Sequence, residues 1–222
     1  MIVININLNL DLFIFFNYLK MNSLERSHVQ DVYNSIAPHF SHTRAYMWPS
    51  IKQFISDLIP NSFIADIGCG NGKNMVDNRH VFIGADFSHQ LALICKDKDN
   101  ECILANNLLI PYKTEIFDAT ISVAVIHHLV SKESRKRCID ELIRITIPNG
   151  LIFIQVWAFE GKKYEKQDAY IDWNDKKAGK IYKRYYYLFK KNELESLIPK
   201  NKVIIEKSIE EYGNYIVILR KT

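Results

Sequence analysis

The fold of this chain is decided by the stretch Phe63-Ile64-Ala65-Asp66-Ile67-Gly68-Cys69-Gly70-Asn71-Gly72. A short apolar run, typical of a strand, ends in a carboxylate and then passes through three alternating glycines. Glycine reaches positive φ at little cost and has no Cβ, so the chain turns sharply and a ligand can lie against bare main chain. The next apolar run, 81–85, also ends in a carboxylate, Asp86. The two runs predict parallel strands whose carboxyl ends meet at a binding crevice.

The ligand expected in this crevice contains adenosine. An acidic side chain at the tip of the second strand is how an α/β sheet holds the two hydroxyls of a ribose. The glycines alternate as G-x-G-x-G, unlike the G-x-G-x-x-G of dinucleotide sites, and no P-loop Lys-Ser/Thr pair follows. This spacing favours a ligand without phosphates and resembles the glycine loop of the class I methyltransferases, which bind S-adenosylmethionine. The open alternative is a strand-to-helix turn in another nucleotide-binding domain.

Length and composition fit one α/β domain. The chain has 222 residues, of which 48% are hydrophobic and 24% charged, enough for one full core and too few for two comfortable ones. We assign the domain to 21–222. Residues 1–20 are apolar but interrupted by Asn and Asp, without a basic start or a small-residue cleavage site. We interpret them as a dispensable extension, such as an upstream in-frame translation, with a membrane anchor as the alternative.

The cysteines and the charge indicate the setting and the partner. Cys69, Cys95, Cys102 and Cys138 form no CxxC pair, which favours reduced thiols, a cytoplasmic or nuclear location and no zinc site in this chain. The net charge is +4, and it is concentrated in 158–191, where basic residues outnumber acidic ones ten to five. Aromatic residues interleave with these charges, so an RNA partner is favoured over a merely solvated loop.

Strand and helix patterns alternate along the domain. We predict helices over 27–38, from Pro49, over 88–95, over 131–145 and from Asn192 to 198, and strands over 63–67, 81–85, 102–105, 119–125, 151–156, 203–209 and 215–220. The expected fold is a doubly wound, mainly parallel seven-stranded α/β sheet with an antiparallel last strand. A basic aromatic insertion occupies about 158–190.

Several blocks resemble one family more specifically. They are 33–44 with Trp48-Pro49, 66–73 (DIGCGNGK), 121–128, 157–160, and then Gln167-Asp168, Trp173, Arg184-Tyr185-Tyr186 and Gly213-Asn214. They are similar, in the same order, to the eukaryotic tRNA methyltransferases that esterify carboxymethyluridine at the wobble position, also found as the methyltransferase domain of an AlkB homologue. The resemblance covers about residue 28 to the C-terminus. Among the departures, Asn106 stands where the family usually has Asp near the adenine.

The resemblance implies a donor site, a tRNA substrate and a partner subunit. The donor is S-adenosylmethionine, and the partner is a small zinc-binding activator that covers an apolar strip and a strand edge. The residues expected around the donor are Asp66, Gly68, Cys69, Gly70, Asn71, Gly72, Asp86, Phe87, Ser88, Asn106, Asn107 and Val123.

On the acceptor side the candidate catalytic residues are Arg44, His127, Asp168 and Arg184. A guanidinium matches a carboxylate or phosphate bidentately, although each arginine could instead form an ordinary surface ion pair. Asp168 either orients Arg184 or is a loop carboxylate. The expected substrate-binding residues are His39, Trp48, His128, Trp157, Trp173 and Tyr185. For the histidines and tryptophans among these candidates, the alternative is simple packing in the core.

Three functions remain open at this point. The first is esterification of carboxymethyluridine in tRNA, which needs no general base because a carboxylic acid is already ionised at neutral pH. The second is a methyltransferase for a small carboxylate or quinone-like molecule. The third is a catalytically silent module that binds tRNA as a scaffold.

Overall fold

The computed structural model describes residues 22–44, 46–175 and 179–222. The predicted extension 1–20 lies outside the described residues, as do Lys176 and Lys177 of the basic segment. Within the described part, no helix combines the length and the apolar character needed to cross a bilayer.

A seven-stranded sheet forms the centre of the domain. The strands of the chain are β1 (Phe63–Ile67), β2 (Val81–Asp86), β3 (Cys102–Leu104), β4 (Phe117–Val123), β5 (Thr146–Trp157), β6 (Asp168–Asp175), β7 (Lys180–Tyr187), β8 (Val203–Glu211) and β9 (Asn214–Lys221). The order in the large sheet is β3-β2-β1-β4-β5-β9-β8. Strands β1 to β5 pair in parallel, and β9 runs antiparallel to β5 and β8. The predicted fold class is confirmed.

The register of the sheet brings the two diagnostic carboxylates to one edge. Asp66 pairs with Gly84 and Ile67 with Ala85, so Asp86 follows directly beside the start of the glycine loop. The strand order reverses between β1 and β4. In open α/β sheets this reversal opens a crevice beyond the carboxyl ends of the strands.

Helices cover both faces of the sheet. A turn at Ser23–Glu25 and a π-helical Arg26–Gln30 lead into α1 (Asp31–Thr43), followed by α2 (Pro49–Asp57), α3 (His89–Lys96), α4 (Lys132–Ile145) and α5 (Glu193–Ser196). The predicted end near Pro38 is wrong, since α1 continues through this proline. Ile36 and Ala37 before it and Phe40 after it pack into one apolar cluster with Trp173, which holds the helix together where Pro38 lacks an N–H donor.

The core is divided by the sheet. One face packs against α4 and α5, with Leu142, Ile154 and Leu194 among its fully buried side chains, and the other face packs against Ile51 and Phe54 of α2. Asn192 precedes α5 in a left-handed conformation, φ 62°, and its side chain makes no capping hydrogen bond. The helix predicted from Asn192 therefore begins without a side-chain cap. The last two predicted strands, 203–209 and 215–220, are present as β8 and β9 and pair in antiparallel orientation.

The basic aromatic insertion is mostly a two-stranded hairpin, β6–β7. Its aromatic residues are divided between core and surface: Trp173, Tyr185 and Tyr186 are buried, whereas Tyr170 is 46% exposed. These three side chains are therefore not exposed on the outer surface of the hairpin. Burial of these side chains ties the hairpin to α1 and to the edge of the crevice.

Candidate active site

A cavity of about 390 Å³ lies at the carboxyl ends of β1, β2 and β4, where the strand order reverses. Most of the residues predicted from the sequence line it. These are Arg44, Trp48, Gly68, Cys69, Gly70, Asn71, Asp86, Phe87, Asn107, Val123, His127, His128, Trp157 and Arg184.

The glycine loop presents main chain to the cavity. Gly68 has φ 81°, and a Cβ there would lie 2.2 Å from a methyl carbon of Val125, so no other residue fits. Its N–H donates to the carbonyl of Ala85 at 2.7 Å, which fixes the loop to β2. A Cβ on Gly70 would meet nothing within 4 Å. The loop is therefore tight on the protein side and open on the ligand side.

Asp86 links the loop to the second strand. Its two carboxylate oxygens accept from the N–H groups of Gly70 and Ser88, each at 2.8 Å. Burial raises the pKa of Asp86 to about 6. Each oxygen retains a free lone pair, so this carboxylate can still accept the two hydroxyls of a ribose.

The N-terminal helix closes one side of the cavity. The side-chain amide of Asn71, in the glycine loop, donates to the carbonyl of Ser41 at 3.2 Å and to that of Arg44 at 3.3 Å. At the other end, Gln30 donates to the carbonyl of Phe87 at 2.9 Å. The N-terminal segment is thus held at both ends, by Gln30 and near residues 41–44, to the loops that surround the cavity.

The two histidines after β4 are buried and neutral. The N–H of Trp157 donates to Nδ1 of His127 at 3.1 Å, so Nε2 of His127 carries the proton. Burial, assisted by the charges of His128 and Arg184, lowers the pKa of His127 well below its usual range. Burial lowers the pKa of His128 to about 3. Neither imidazole carries a positive charge at neutral pH.

His128 orients a chain of hydrogen bonds. Its Nδ1 donates to the carbonyl of Tyr185 at 2.8 Å, so its Nε2 accepts the hydroxyl of Tyr33 at 3.1 Å. The Tyr33 oxygen then accepts the hydroxyl of Tyr186 at 3.2 Å, and Tyr186 accepts a guanidinium N–H of Arg184 at 3.0 Å. The carbonyl of Tyr185 can only accept a hydrogen bond, and this sets the direction of every other hydrogen bond in the series. The network therefore holds the guanidinium of Arg184 in one position.

Arg184 is a buried cation without an anion. Its residue is 4% exposed, and its guanidinium lies 4.8 Å from the ring centre of Trp173 and 5.3 Å from that of Tyr186. Among the described residues, no carboxylate forms an ion pair with it, and its Nε lacks a hydrogen-bond partner. A buried charge in this state is costly unless a ligand supplies the counter-charge.

Four residues predicted around the donor do not line the cavity. Asp66 is fully buried below it, where burial raises its pKa to about 7 and Asn74 donates to it at 3.3 Å. Gly72 packs against Cys95 and Asn100. Ser88 caps α3 and donates to Asn34 at 2.8 Å. Asn106 accepts the N–H of Leu108 in its own turn, while its neighbour Asn107 lines the cavity.

Four residues predicted on the acceptor side are also absent from the lining. His39 contacts the ring of Trp173, and Trp173 packs behind the two arginines. Tyr185 points away from the cavity because side chains alternate along β7, and its hydroxyl donates to Asp168. Asp168 therefore orients Tyr185 and not Arg184, which corrects its predicted role.

The structure adds lining residues that the sequence did not single out. Tyr33, Phe40, Lys73 and Tyr186 are the main ones, with Thr43, Tyr46, Asn74, Ala124 and Val125. Side-chain alternation along a strand could have predicted Tyr186, because residues 184 and 186 of one strand point to the same side.

Comparisons with known proteins agree with this geometry. Residues 65–154 match the family described as "Methyltransferase domain". The "Probable tRNA methyltransferase 9B" of Homo sapiens is 43% identical over 154 residues, 68% of this chain and 34% of that protein. The chain thus spans about a third of the length of the first curated relatives that it matches.

A relative of similar size is the Schizosaccharomyces pombe "tRNA (carboxymethyluridine(34)-5-O)-methyltransferase". It is 32% identical over 200 residues, 78% of this chain and 87% of that protein. Among solved structures, the Haloferax volcanii complex of the "Trm112 methyltransferase activator and the putative methyltransferase" superposes with a TM-score of 0.66 at 12% identity, covering 87% of this chain and 97% of that chain.

The cofactor is S-adenosylmethionine, and the lining suits it: bare loop backbone at Gly70, a carboxylate with spare lone pairs at Asp86, and apolar Phe87 beside it. By its match to nearly the whole fission yeast enzyme, the chain belongs to the family of tRNA (carboxymethyluridine(34)-5-O)-methyltransferases.

Proposed function

We propose that this protein transfers the methyl group of S-adenosylmethionine to the carboxylate of 5-carboxymethyluridine at the wobble position of a tRNA anticodon. The observation that carries the proposal is the guanidinium of Arg184, which lies buried in the same cavity as the glycine loop and forms no ion pair with any of the described carboxylates. A carboxylate acceptor supplies the missing counter-charge. A neutral acceptor would leave this cation uncompensated.

The donor would occupy the side of the cavity formed by the glycine loop. When bound, S-adenosylmethionine supplies a sulfonium methyl group. Asp86 would accept the ribose hydroxyls, Phe87 would lie against the adenine, and Asn107 would contact its edge. Gly68 and Gly70 leave the main chain accessible to the amino-acid end.

The acceptor would occupy the side formed by Arg44, His127, Trp157 and Arg184. Its carboxylic acid, with a pKa of about 4, is ionised at neutral pH, so the protein needs no general base. The two neutral imidazoles are consistent with this requirement. Arg184 would orient the carboxylate, and the Nε2 proton of His127 offers a second donor. The work of the protein is alignment and exclusion of water.

The tRNA would reach this side over the β6–β7 hairpin. Its exposed lysines, among them Lys180 and Lys183, can neutralise phosphates, and exposed Tyr170 offers a stacking surface. The stacked pair of Trp157 and Tyr186, whose ring centres are 4.7 Å apart, stands beside the acceptor pocket. A flipped uracil could extend this stack.

The test is nucleoside mass spectrometry of tRNA that carries 5-carboxymethyluridine, after incubation with the protein, its activator and S-adenosylmethionine. We expect the free acid to be lost and its methyl ester to appear in equal amount. If the tRNA binds but no ester forms, the chain is a scaffold. If esters form only on free carboxylates or quinone-like molecules, the small-molecule alternative replaces the proposal.

We also propose a small zinc-binding activator as partner, on the free edge of β3. This strand ends the sheet order, and Leu104 on it and Leu93 on the adjoining α3 are exposed. The fold shared with the Haloferax volcanii methyltransferase of the Trm112 complex supports a partner of this kind. Such a complex would act in the cytoplasm, or also in the nucleus.

A charge on the β3 edge is expected to prevent this assembly. We predict that Leu104→Asp lowers the amount of activator that copurifies with the chain at least about tenfold, because a carboxylate would be desolvated at an apolar contact. Ile204→Asp is the matched control, since Ile204 is 57% exposed on β8 at the opposite edge. If equal amounts of activator copurify with both variants, the activator does not bind at β3.

A further inference from the structure

Three cysteines that are far apart in the sequence meet below the glycine loop. Cys69 lies within the loop, Cys95 in the last turn of α3, and Cys102 at the start of β3. Their Sγ atoms all lie within 4.8 Å of one another, and those of Cys69 and Cys102 are 3.3 Å apart. All three residues are buried. The absence of a CxxC pair therefore does not exclude a metal site in this chain.

Glycine residues beside the three thiols leave room for their sulfur atoms. Two glycines leave the space that the thiols occupy: a Cβ on Gly84 would lie 2.7 Å from Sγ of Cys69, and one on Gly72 would lie 2.8 Å from Sγ of Cys95. The same Gly84 position is 3.1 Å from the thioether sulfur of Met75. The sulfur atoms of Cys69 and Met75 thus both lie beside Gly84, and Met75 belongs to the same buried cluster as the three cysteines.

We propose that Cys69, Cys95 and Cys102 form a three-thiolate site for a soft cation of the copper(I) type. Thiolate and thioether ligands select such ions over hard cations. With metal–sulfur bonds of about 2.3 Å, three sulfurs around one ion lie roughly 4.0 Å apart, which falls between the shortest separation here and the 4.8 Å limit.

The number of ligands favours copper(I) over zinc. Zinc in structural sites takes four ligands in a tetrahedron. In the part of the chain that the structure describes, no histidine or carboxylate joins the three cysteines to complete such a set. Copper(I) is satisfied by three thiolates.

Binding at this site involves no electron transfer. The ion replaces thiol protons, which are released to solvent, so affinity is expected to fall as the pH is lowered. The turn over 96–99, between Cys95 and Cys102, is exposed to solvent. Cys69 also lines the cavity, whereas Cys95 and Cys102 do not, so substitutions of these two test metal binding without changing the cavity lining.

The test is transfer of copper(I) from its bicinchoninate complex to the full chain under anaerobic, reducing conditions. We expect transfer of about one equivalent. Cys102→Ser and Cys95→Ser should each lower the affinity at least about a hundredfold. Cys138→Ala is the matched control, because Cys138 is equally buried but lies in the core cluster on α4, away from the three thiols, and it should transfer copper(I) as the wild type does.

Thiol alkylation of the wild-type chain provides a second test that does not depend on whether the variants fold. In the wild-type chain, copper(I) should protect three thiols from alkylation and leave Cys138 to react, at its own slow rate, as without metal. Equal affinity of Cys102→Ser and Cys138→Ala, unchanged alkylation of the three thiols, or tighter binding of zinc than of copper(I) would each overturn the proposal.

Discussion

Replacing Arg184 by glutamine should lower kcat/KM for methyl ester formation at least about a hundredfold. A bidentate, charge-assisted contact between guanidinium and carboxylate contributes about 3 kcal/mol, and the amide of glutamine keeps at most one neutral hydrogen bond. The loss should appear in steady-state kinetics with tRNA that carries 5-carboxymethyluridine. Because Asp86 and the glycine loop are untouched, the Kd for S-adenosylmethionine should stay within about threefold of the wild type.

The matched control is Arg220→Gln. Arg220 forms an exposed ion pair with Glu206 and pairs with Leu151 of β5, which lies beside Ala119 near the start of β4 and so away from the carboxyl ends that form the cavity. This variant should keep wild-type kcat/KM. Equal activity of the two arginine variants would show that the acceptor carboxylate is held elsewhere, and the assignment of Arg184 would have to be abandoned.

Replacing Asp86 by alanine should abolish binding of S-adenosylmethionine at concentrations that saturate the wild type. The carboxylate would supply two hydrogen bonds to the ribose, each contributing about 1.5 kcal/mol or more. It also accepts the N–H groups of Gly70 and Ser88, so its loss loosens the loop that faces the donor. Together these effects should raise Kd at least about a hundredfold, as measured by isothermal titration calorimetry.

Asp57→Ala is the control for this variant, since Asp57 is an exposed carboxylate at the end of α2, where it accepts a hydrogen bond from the side-chain amide of Gln53. It should bind the donor normally. Thermal melting separates a binding defect from unfolding. A folded Asp86→Ala protein with an affinity close to that of the control would place the ribose elsewhere in the cavity.

The sequence was sufficient for the fold and for the donor side of the cavity because both depend on local pattern. Residues 63–72 combine an apolar strand, a carboxylate and three glycines whose positive φ values the structure confirms at Gly68, Gly70 and Gly72. The exact lining was harder to predict. Of the two neighbours Asn106 and Asn107, the one that lines the cavity is Asn107. The side chain of Asn106 instead accepts a hydrogen bond from the N–H of Leu108.

The acceptor side was less predictable because it is assembled from distant segments. Tyr33, His128 and Tyr186 meet only after α1 has packed against β7. Charge and aromatic content do not reveal that 180–187 forms a strand. Without the strand, the sequence does not distinguish Tyr186, which lines the cavity, from Tyr185, which faces away from it. The three clustered thiols were missed for the same reason, since their proximity arises from the pairing of β2 with β3.

The anchored N-terminal helix also affects the catalytic cycle. The side chain of Asn71 holds the end of α1, and that of Gln30 holds the loop after β2. We expect release of the demethylated cofactor to require that these hydrogen bonds open. Release of the demethylated product should then be slower than the chemistry itself, and pre-steady-state traces should show a burst of ester in the first turnover. The Asn71→Ala variant lacks the hydrogen bonds to the end of α1. It should therefore release the demethylated cofactor faster and show no burst of ester.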